Sequence, residues 1–257
     1  MIASIAAYRF TPIEDPTALV EVLRERAEIG RLLGTVLVAS EGINLFLAGE
    51  ARAIDAWLHA LRSDQRFADI EVKRSRSRSQ PFARLKVKVK AEIISFRRQR
   101  SSPLEHRAPS VSPRTLSRWI ADGHDDAGRR LVLLDTRNRE EVDHGSFAGA
   151  LRLPIDRFTE LPQHLAAHRE ALADATVVSF CTGGIRCEKA ALHMRSEGMP
   201  NVWQLDGGIL NYFEQIGGAG FEGNCFVFDE RIALTPQLVP IGEQQSEADS
   251  PIESQAA

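Results

Sequence analysis

The stretch VVSFCTGGIRC at residues 177–187 constrains the fold more than any other part of the chain. An apolar run without alternation ends in a cysteine, two glycines follow, and helical spacing then begins, so a buried strand must turn sharply into a helix. Strands of that kind belong to parallel sheets covered by helices on both faces. The surrounding sequence repeats the pattern, with strands expected at 131–134, near 150–153, at 176–180 and at 201–205. Helices are expected from Ser112-Pro113, near 139–142, and at about 162–173, 187–197 and 208–216. This alternation predicts a parallel-sheet α/β domain over 113–224.

The first hundred residues follow another order. A strand at 2–10 precedes a helix that Asp15 caps and Pro16 opens, running to about 33. Strands at 35–39 and 43–48, linked by Ser40-Glu41-Gly42, are followed by a helix at 51–62, a strand from about 70 and a basic strand at 85–94. The order β-α-β-β-α-β is the ferredoxin-like α+β pattern, here with an extra strand. The Ser- and Pro-rich segment 101–112 reads as a linker between this domain (1–100) and the second (113–224), and 225–257 as an extension, disordered from about 242.

Charge is strongly segregated. Residues 73–100 hold eleven Lys/Arg against one acid, a balance of +10, which leaves −13 elsewhere in a chain whose net charge is −3. In the basic strand, alternation predicts that Leu85, Val87 and Val89 are buried, with Arg84, Lys86, Lys88 and Lys90 in one row on the other face. Such a row either guards a sheet edge or grips a polyanion. With Arg74, Arg76 and Arg78 it forms the candidate RNA-binding set. Three cysteines in 257 residues cannot build a disulfide framework and suit a reducing compartment. No apolar stretch is long enough to span a bilayer and the N-terminus does not read as a secretory signal, so a cytoplasmic location is expected.

The loop carries the chemistry. Cys181 stands at the carboxyl end of a strand, where ligands of open α/β sheets bind. Thr182, Gly183, Gly184 and Ile185 then curl toward a helix N-terminus, a geometry in which successive amides make an anion cradle, with Arg186 adding positive potential. A thiol there ionises readily and is a nucleophile, or carries a persulfide. From Cys181 to Arg186 the loop spans six residues, one fewer than the cradle of cysteine phosphatases, which suits one sulfur atom better than a phosphate. Cys187 is a possible second thiol, with packing the favoured reading, and Cys225 is expected to pack. Asp135 and Arg137, at the end of an earlier strand, are expected to face the same crevice as an orienting ion pair.

Together with Leu134-Asp135-Thr136-Arg137, Glu141-Val142-x-His144-Gly145 and Gln204-Leu205-Asp206-Gly207-Gly208, this loop resembles the rhodanese domain over about 112–221. Combined with Ser40-Glu41-Gly42-Ile43-Asn44 and Pro81-Phe82-x-Arg84-Leu85-Lys86 upstream, the whole chain resembles the bacterial tRNA wobble-uridine (uridine 34) hydroxylase family. The resemblance implies oxygen-dependent conversion of the anticodon uridine to 5-hydroxyuridine, with Cys181 as the essential cysteine, molecular oxygen as co-substrate and the tRNA anticodon loop as partner. No cofactor fingerprint, metal site, membrane segment or obligate protein partner is evident. His124-Asp125-Asp126 matches half of an iron-binding triad but reads as a polar loop. Two other functions stay open: a sulfurtransferase carrying sulfane sulfur on Cys181, and a non-catalytic RNA-binding scaffold.

Overall fold

A computed structural model describes residues 1–98 and 101–242; the tail expected to be disordered and Arg100 lie outside the described residues. The N-terminal unit begins with β1 (Ile2–Phe10), α1 (Pro16–Ile29), β2 (Leu33–Ala39), β3 (Gly42–Gly49), α2 (Ala51–Arg62), β4 (Val72–Ser77) and β5 (Leu85–Val89). The Asp15 carboxylate caps α1 by accepting from the amides of Thr17 and Ala18, both at 3.0 Å, a contribution of about 1 kcal/mol. Sheet order β4-β1-β3-β2-β5 is the ferredoxin-like arrangement with β5 added in parallel beside β2. One sheet face packs Ile5, Val36, Val38, Leu45 and Leu47 against Val20 and Leu23 of α1 and Ile54, Trp57 and Leu58 of α2. No helix of this unit covers the other face, which turns to the second domain.

The basic strand is shorter than its alternation suggests. It pairs only as far as Val89, whose side chain is 45% exposed, because α1 covers Val87 and Leu85 but the strand end projects beyond it. The connecting segment is also more ordered than a linker, since its end forms β6 (Ser110–Val111), the edge of the second sheet.

The second domain continues with α3 (Pro113–Asp122), β7 (Leu131–Asp135), α4 (Arg139–Val142), β8 (Gly145–Phe147), β9 (Leu151–Arg152), α5 (Leu161–Ala166) and α6 (Arg169–Leu172). Next come β10 (Thr176–Phe180), α7 (Ile185–Ser196), β11 (Val202–Leu205) and α8 (Gly208–Ile216), followed by β12 (Phe221–Gly223), which pairs with β8, and the paired β13 (Cys225–Phe226) and β14 (Ala233–Leu234). Where one helix over 162–173 is expected there are two, and the turn between them lets Leu161, Leu165 and Leu172 all reach the core. The sheet β6-β11-β10-β7-β9 is parallel throughout, and every residue of its central strand β10 is buried, which explains the run without alternation.

Candidate active site

β10 delivers Cys181 to the carboxyl end of the sheet. Beyond it Gly184 takes φ 101°, a left-handed conformation that turns the chain back and points its amide at Cys181 Sγ, 3.2 Å away. The nearby Arg186 amide and guanidinium also favour the ionised sulfur. The loop's carbonyls face the other way and are taken by α8, where the amides of Ile209 and Leu210 reach the oxygens of Cys181 and Thr182 at 2.9 and 3.1 Å. One helix N-terminus thus holds the outside of the loop while its own amides stay free for the sulfur.

Cys181 is 1% exposed, yet its thiol is depressed to about 5. Burial alone would raise it; a hydrogen bond from Cys187, the Arg186 charge and the amides of Arg186 and Gly184 outweigh that. Burial and the neighbouring Cys181 push the Cys187 thiol well above its ordinary value. Cys187 is itself buried, and Thr136 Oγ1 stands 3.7 Å from its sulfur. Arg186 forms a bidentate pair with Glu141 at 2.5 and 2.6 Å, both side chains buried. Burial opposes the guanidinium charge, but Glu141 keeps it firmly protonated beside the thiolate. Glu141 belongs to a stretch conspicuous in the sequence, but nothing there pairs it with Arg186.

Cys181, Thr182, Gly183, Ile185 and Arg186 form one wall of a cleft of about 860 Å³. The opposite wall is the uncovered face of the N-terminal sheet. α7 fixes the two walls together. Ile185 packs with Phe10, Ala39 and Ile93, and Lys189 Nζ reaches Glu41 at 2.8 Å, Glu92 at 3.3 Å and the Ile94 carbonyl at 3.1 Å. Cradle residue Ile185 thus serves as a wedge between the domains, and Thr182 Oγ1 turns to the Phe226 carbonyl at 3.4 Å.

The basic set is not gathered into one patch. β4 and β5 are opposite edges of the sheet. Register places Lys73, Ala6, Phe46, Thr35 and Lys86 in one row across the cleft-facing surface, and Tyr8, Asn44, Leu37 and Lys88 in the next. Lysines therefore bound this face on both sides, and Lys90, just past β5, lines the cleft. Arg74 and Arg76 point to the helix side, because alternation along β4 gives the cleft face to Lys73 and Ser75; Arg74 pairs with Asp55 of α2 at 2.8 Å. Arg78 and Arg84 are exposed outside the ends of β4 and β5. Lys73 was hidden in the sequence among its arginine neighbours.

Asp135 and Arg137 do not face the crevice. Both are fully buried, 2.7 Å apart, with Asp135 also accepting from Ser146 Oγ at 2.7 Å and Arg137 donating to the Gly145 carbonyl at 2.6 Å. Neither lines the cleft; β8 covers them, and they brace the β7–α4 turn from within. Cys225 is buried in the core and pushed up to about 12 by that burial. Asp125 is committed to its own loop, accepting from Ala127, Arg129 and Thr176. Among the described residues no group of three His, Cys, Asp or Glu side chains is placed to hold a metal ion. Nor is any helix there long and apolar enough to cross a membrane.

A thiolate in an amide cradle at the end of a parallel sheet, joined to a second domain that closes the cleft, defines a rhodanese-type thiol protein. Residues 112–215 match the rhodanese-like domain, and residues 2–93 match the UPF0176 acylphosphatase like domain. Across its length the chain is 64% identical over 253 residues to the tRNA uridine(34) hydroxylase of Xanthomonas campestris pv. campestris (strain B100), covering 97% of this chain and 99% of that one. It is 58% identical over 245 residues to the tRNA uridine(34) hydroxylase of Xylella fastidiosa (strain 9a5c), covering 95% of each. The chain belongs to the tRNA uridine(34) hydroxylase family.

Proposed function

We propose that this protein hydroxylates carbon 5 of the uridine at position 34 of tRNA, with dioxygen as co-substrate and Cys181 as nucleophile. The observation that carries the proposal is a sulfur held ionised by amides and Arg186 on the wall of a cleft large enough for a single nucleotide. The 860 Å³ volume falls within the roughly 300–1,000 Å³ of small-ligand sites. Addition of the thiolate to carbon 6 of uracil makes carbon 5 electron-rich. The charge that develops on the ring meets the positive rim formed by the loop amides and Arg186. One atom of dioxygen bonds to carbon 5; the other leaves as water, taking two electrons and two protons from an external donor.

The anticodon loop is the segment of tRNA that reaches the cleft. Its bases are splayed, as single-stranded RNA targets are when an enzyme works on one of them. Lys73, Lys86 and Lys88 at the two margins and Lys90 in the cleft meet the phosphates, and Phe228, 55% exposed on the cleft with the Arg186 guanidinium 6.0 Å from its ring centre, offers a stacking surface. A tRNA substrate supports a cytoplasmic location.

The test is accurate-mass analysis of nucleosides from the tRNA of a strain lacking the gene. Loss of 5-hydroxyuridine and its derivatives, restored by the intact gene and not by Cys181→Ser, is the expected result. Loss of a thiolated nucleoside instead identifies a sulfurtransferase, and an unchanged tRNA identifies a scaffold. Accurate mass is required because sulfur replacing oxygen and oxygen added shift nominal mass equally.

A further inference from the structure

The cleft contains a carboxyl group that takes no part in activating Cys181. Glu188, in the first turn of α7, is buried on the cleft wall. Its Oε1 accepts a hydrogen bond from the Tyr8 hydroxyl at 3.2 Å, while its Oε2 has no hydrogen-bond partner among the described residues. The cation beside Oε2 is Arg107, half exposed, with Nε 3.9 Å away. Leaving a buried polar atom unsatisfied costs about 1–3 kcal/mol, so a carboxyl kept in that state in the same cleft as Cys181 has a use other than stability.

Tyr8 comes from the other domain. It stands half-buried on the opposite wall and crosses to the loop, where a methyl group added to Gly184 would lie 2.9 Å from its hydroxyl. Gly184 is the residue whose amide holds Cys181 Sγ. The phenol oxygen is thus within reach of a group bonded to that sulfur, with Glu188 directly behind it.

We infer that Tyr8 and Glu188 form the proton relay that removes the hydrogen from carbon 5 of the wobble uracil, an inference that rests on the function proposed above. Once carbon 6 carries sulfur and carbon 5 carries oxygen, the ring has lost its double bond. The C5–H electron pair re-forms that bond, and the C6–S bond breaks with its pair returning to Cys181. The proton passes to the Tyr8 oxygen as the Tyr8 proton moves to Glu188 Oε1. The step consumes no oxidant or reductant: thiolate is regenerated, and Glu188 later gives the proton to solvent. Burial, then the Glu188 and Cys181 charges, hold the Tyr8 phenol well above its ordinary value, so it works as a protonated relay.

Burial raises Glu188 above the usual carboxylate range, against the opposing influence of Arg107, the Tyr8 hydrogen bond and Arg9; Asp206 adds to the rise. The relay needs the carboxylate. Hydroxylation therefore falls as pH drops through that raised value, and Glu188→Gln removes this part of the acid limb and leaves the part set by the Cys181 thiolate.

Without oxygen, solvent protonates carbon 5 of the simple carbon 6 adduct from the side that oxygen would enter, and the relay removes the original hydrogen from the other side. The experiment uses full-length protein and tRNA tritiated at carbon 5 of uridine. It measures anaerobic tritium release, hydroxylation in air, and alkylation of Cys181. Wild type should release tritium from position 34. Glu188→Gln and Tyr8→Phe should release it at least roughly 100-fold more slowly, the scale of a lost acid–base group, with Cys181 alkylation unchanged. Release close to wild type in Glu188→Gln, or a fall matched by lost Cys181 reactivity, overturns the relay. Wild type that hydroxylates without exchanging tritium also overturns it and leaves the hydroxylase standing; wild type that forms no 5-hydroxyuridine sinks both.

Discussion

At the scale of single residues, a sulfur can be buried and ionised together because its surroundings supply amide and guanidinium charge in place of water. Capture of Cys181 by iodoacetamide should rise with pH through a midpoint of about 5 and be flat at neutrality, since the thiolate is lost only as pH falls below that value. A midpoint near that of an ordinary thiol contradicts the cradle. Removing the partner of Arg186 by Glu141→Ala leaves a buried guanidinium uncompensated and should cost about 3–5 kcal/mol, read from urea unfolding; a cost below about 1 kcal/mol would show that solvent reaches the pair. The cysteine, the glycines and Arg186 were legible in the sequence because loop, strand and helix N-terminus are contiguous. Glu141 and Tyr8 were not, because their partners are distant in the chain and no periodicity links them.

At the scale of elements, strand–turn–helix order was readable wherever burial was complete. β10 was legible to the residue, whereas β5 was overextended, since alternation records which residues would be apolar and not where a covering helix stops. The same limit leaves the face of Arg74 and Arg76 unreadable in the sequence. Both faces of β4 carry polar side chains, so only the pairing with β1 reveals which face is which. The contact between α8 and the loop had no sequence signal beyond Gly207-Gly208. A methyl group on Gly208, where φ is 66°, would lie 2.5 Å from the Cys181 carbonyl oxygen. Gly208→Ala should therefore displace the loop, move the Cys181 alkylation midpoint upward and reduce hydroxylation by roughly 100-fold, the cost of an ångström-scale misplacement. An unchanged midpoint would mean that the loop holds its shape without α8.

At the scale of the whole molecule, charge and topology combine into a bounded surface, with lysines at both edges of one sheet face and the thiolate opposite. Reversal of Lys73, Lys86 and Lys88 to Glu should weaken tRNA binding and flatten its salt dependence by roughly one per lost phosphate contact. Arg76→Glu, on the helix side, should leave the slope unchanged, and equal effects from the two sets would place the RNA elsewhere. The charge count over 73–100 announces a local excess of cations, but only the edge positions of β4 and β5 show that it frames a cleft.

Phe96 follows the N-terminal fold, yet its ring stacks on Phe158 at 4.5 Å within the core of the second domain, next to His193. The two halves are therefore not interchangeable cassettes. A fragment cut out at residue 101 would carry an empty aromatic socket and lose the two carboxylates that seat Lys189. Evolution could separate these halves only by first refilling both vacancies.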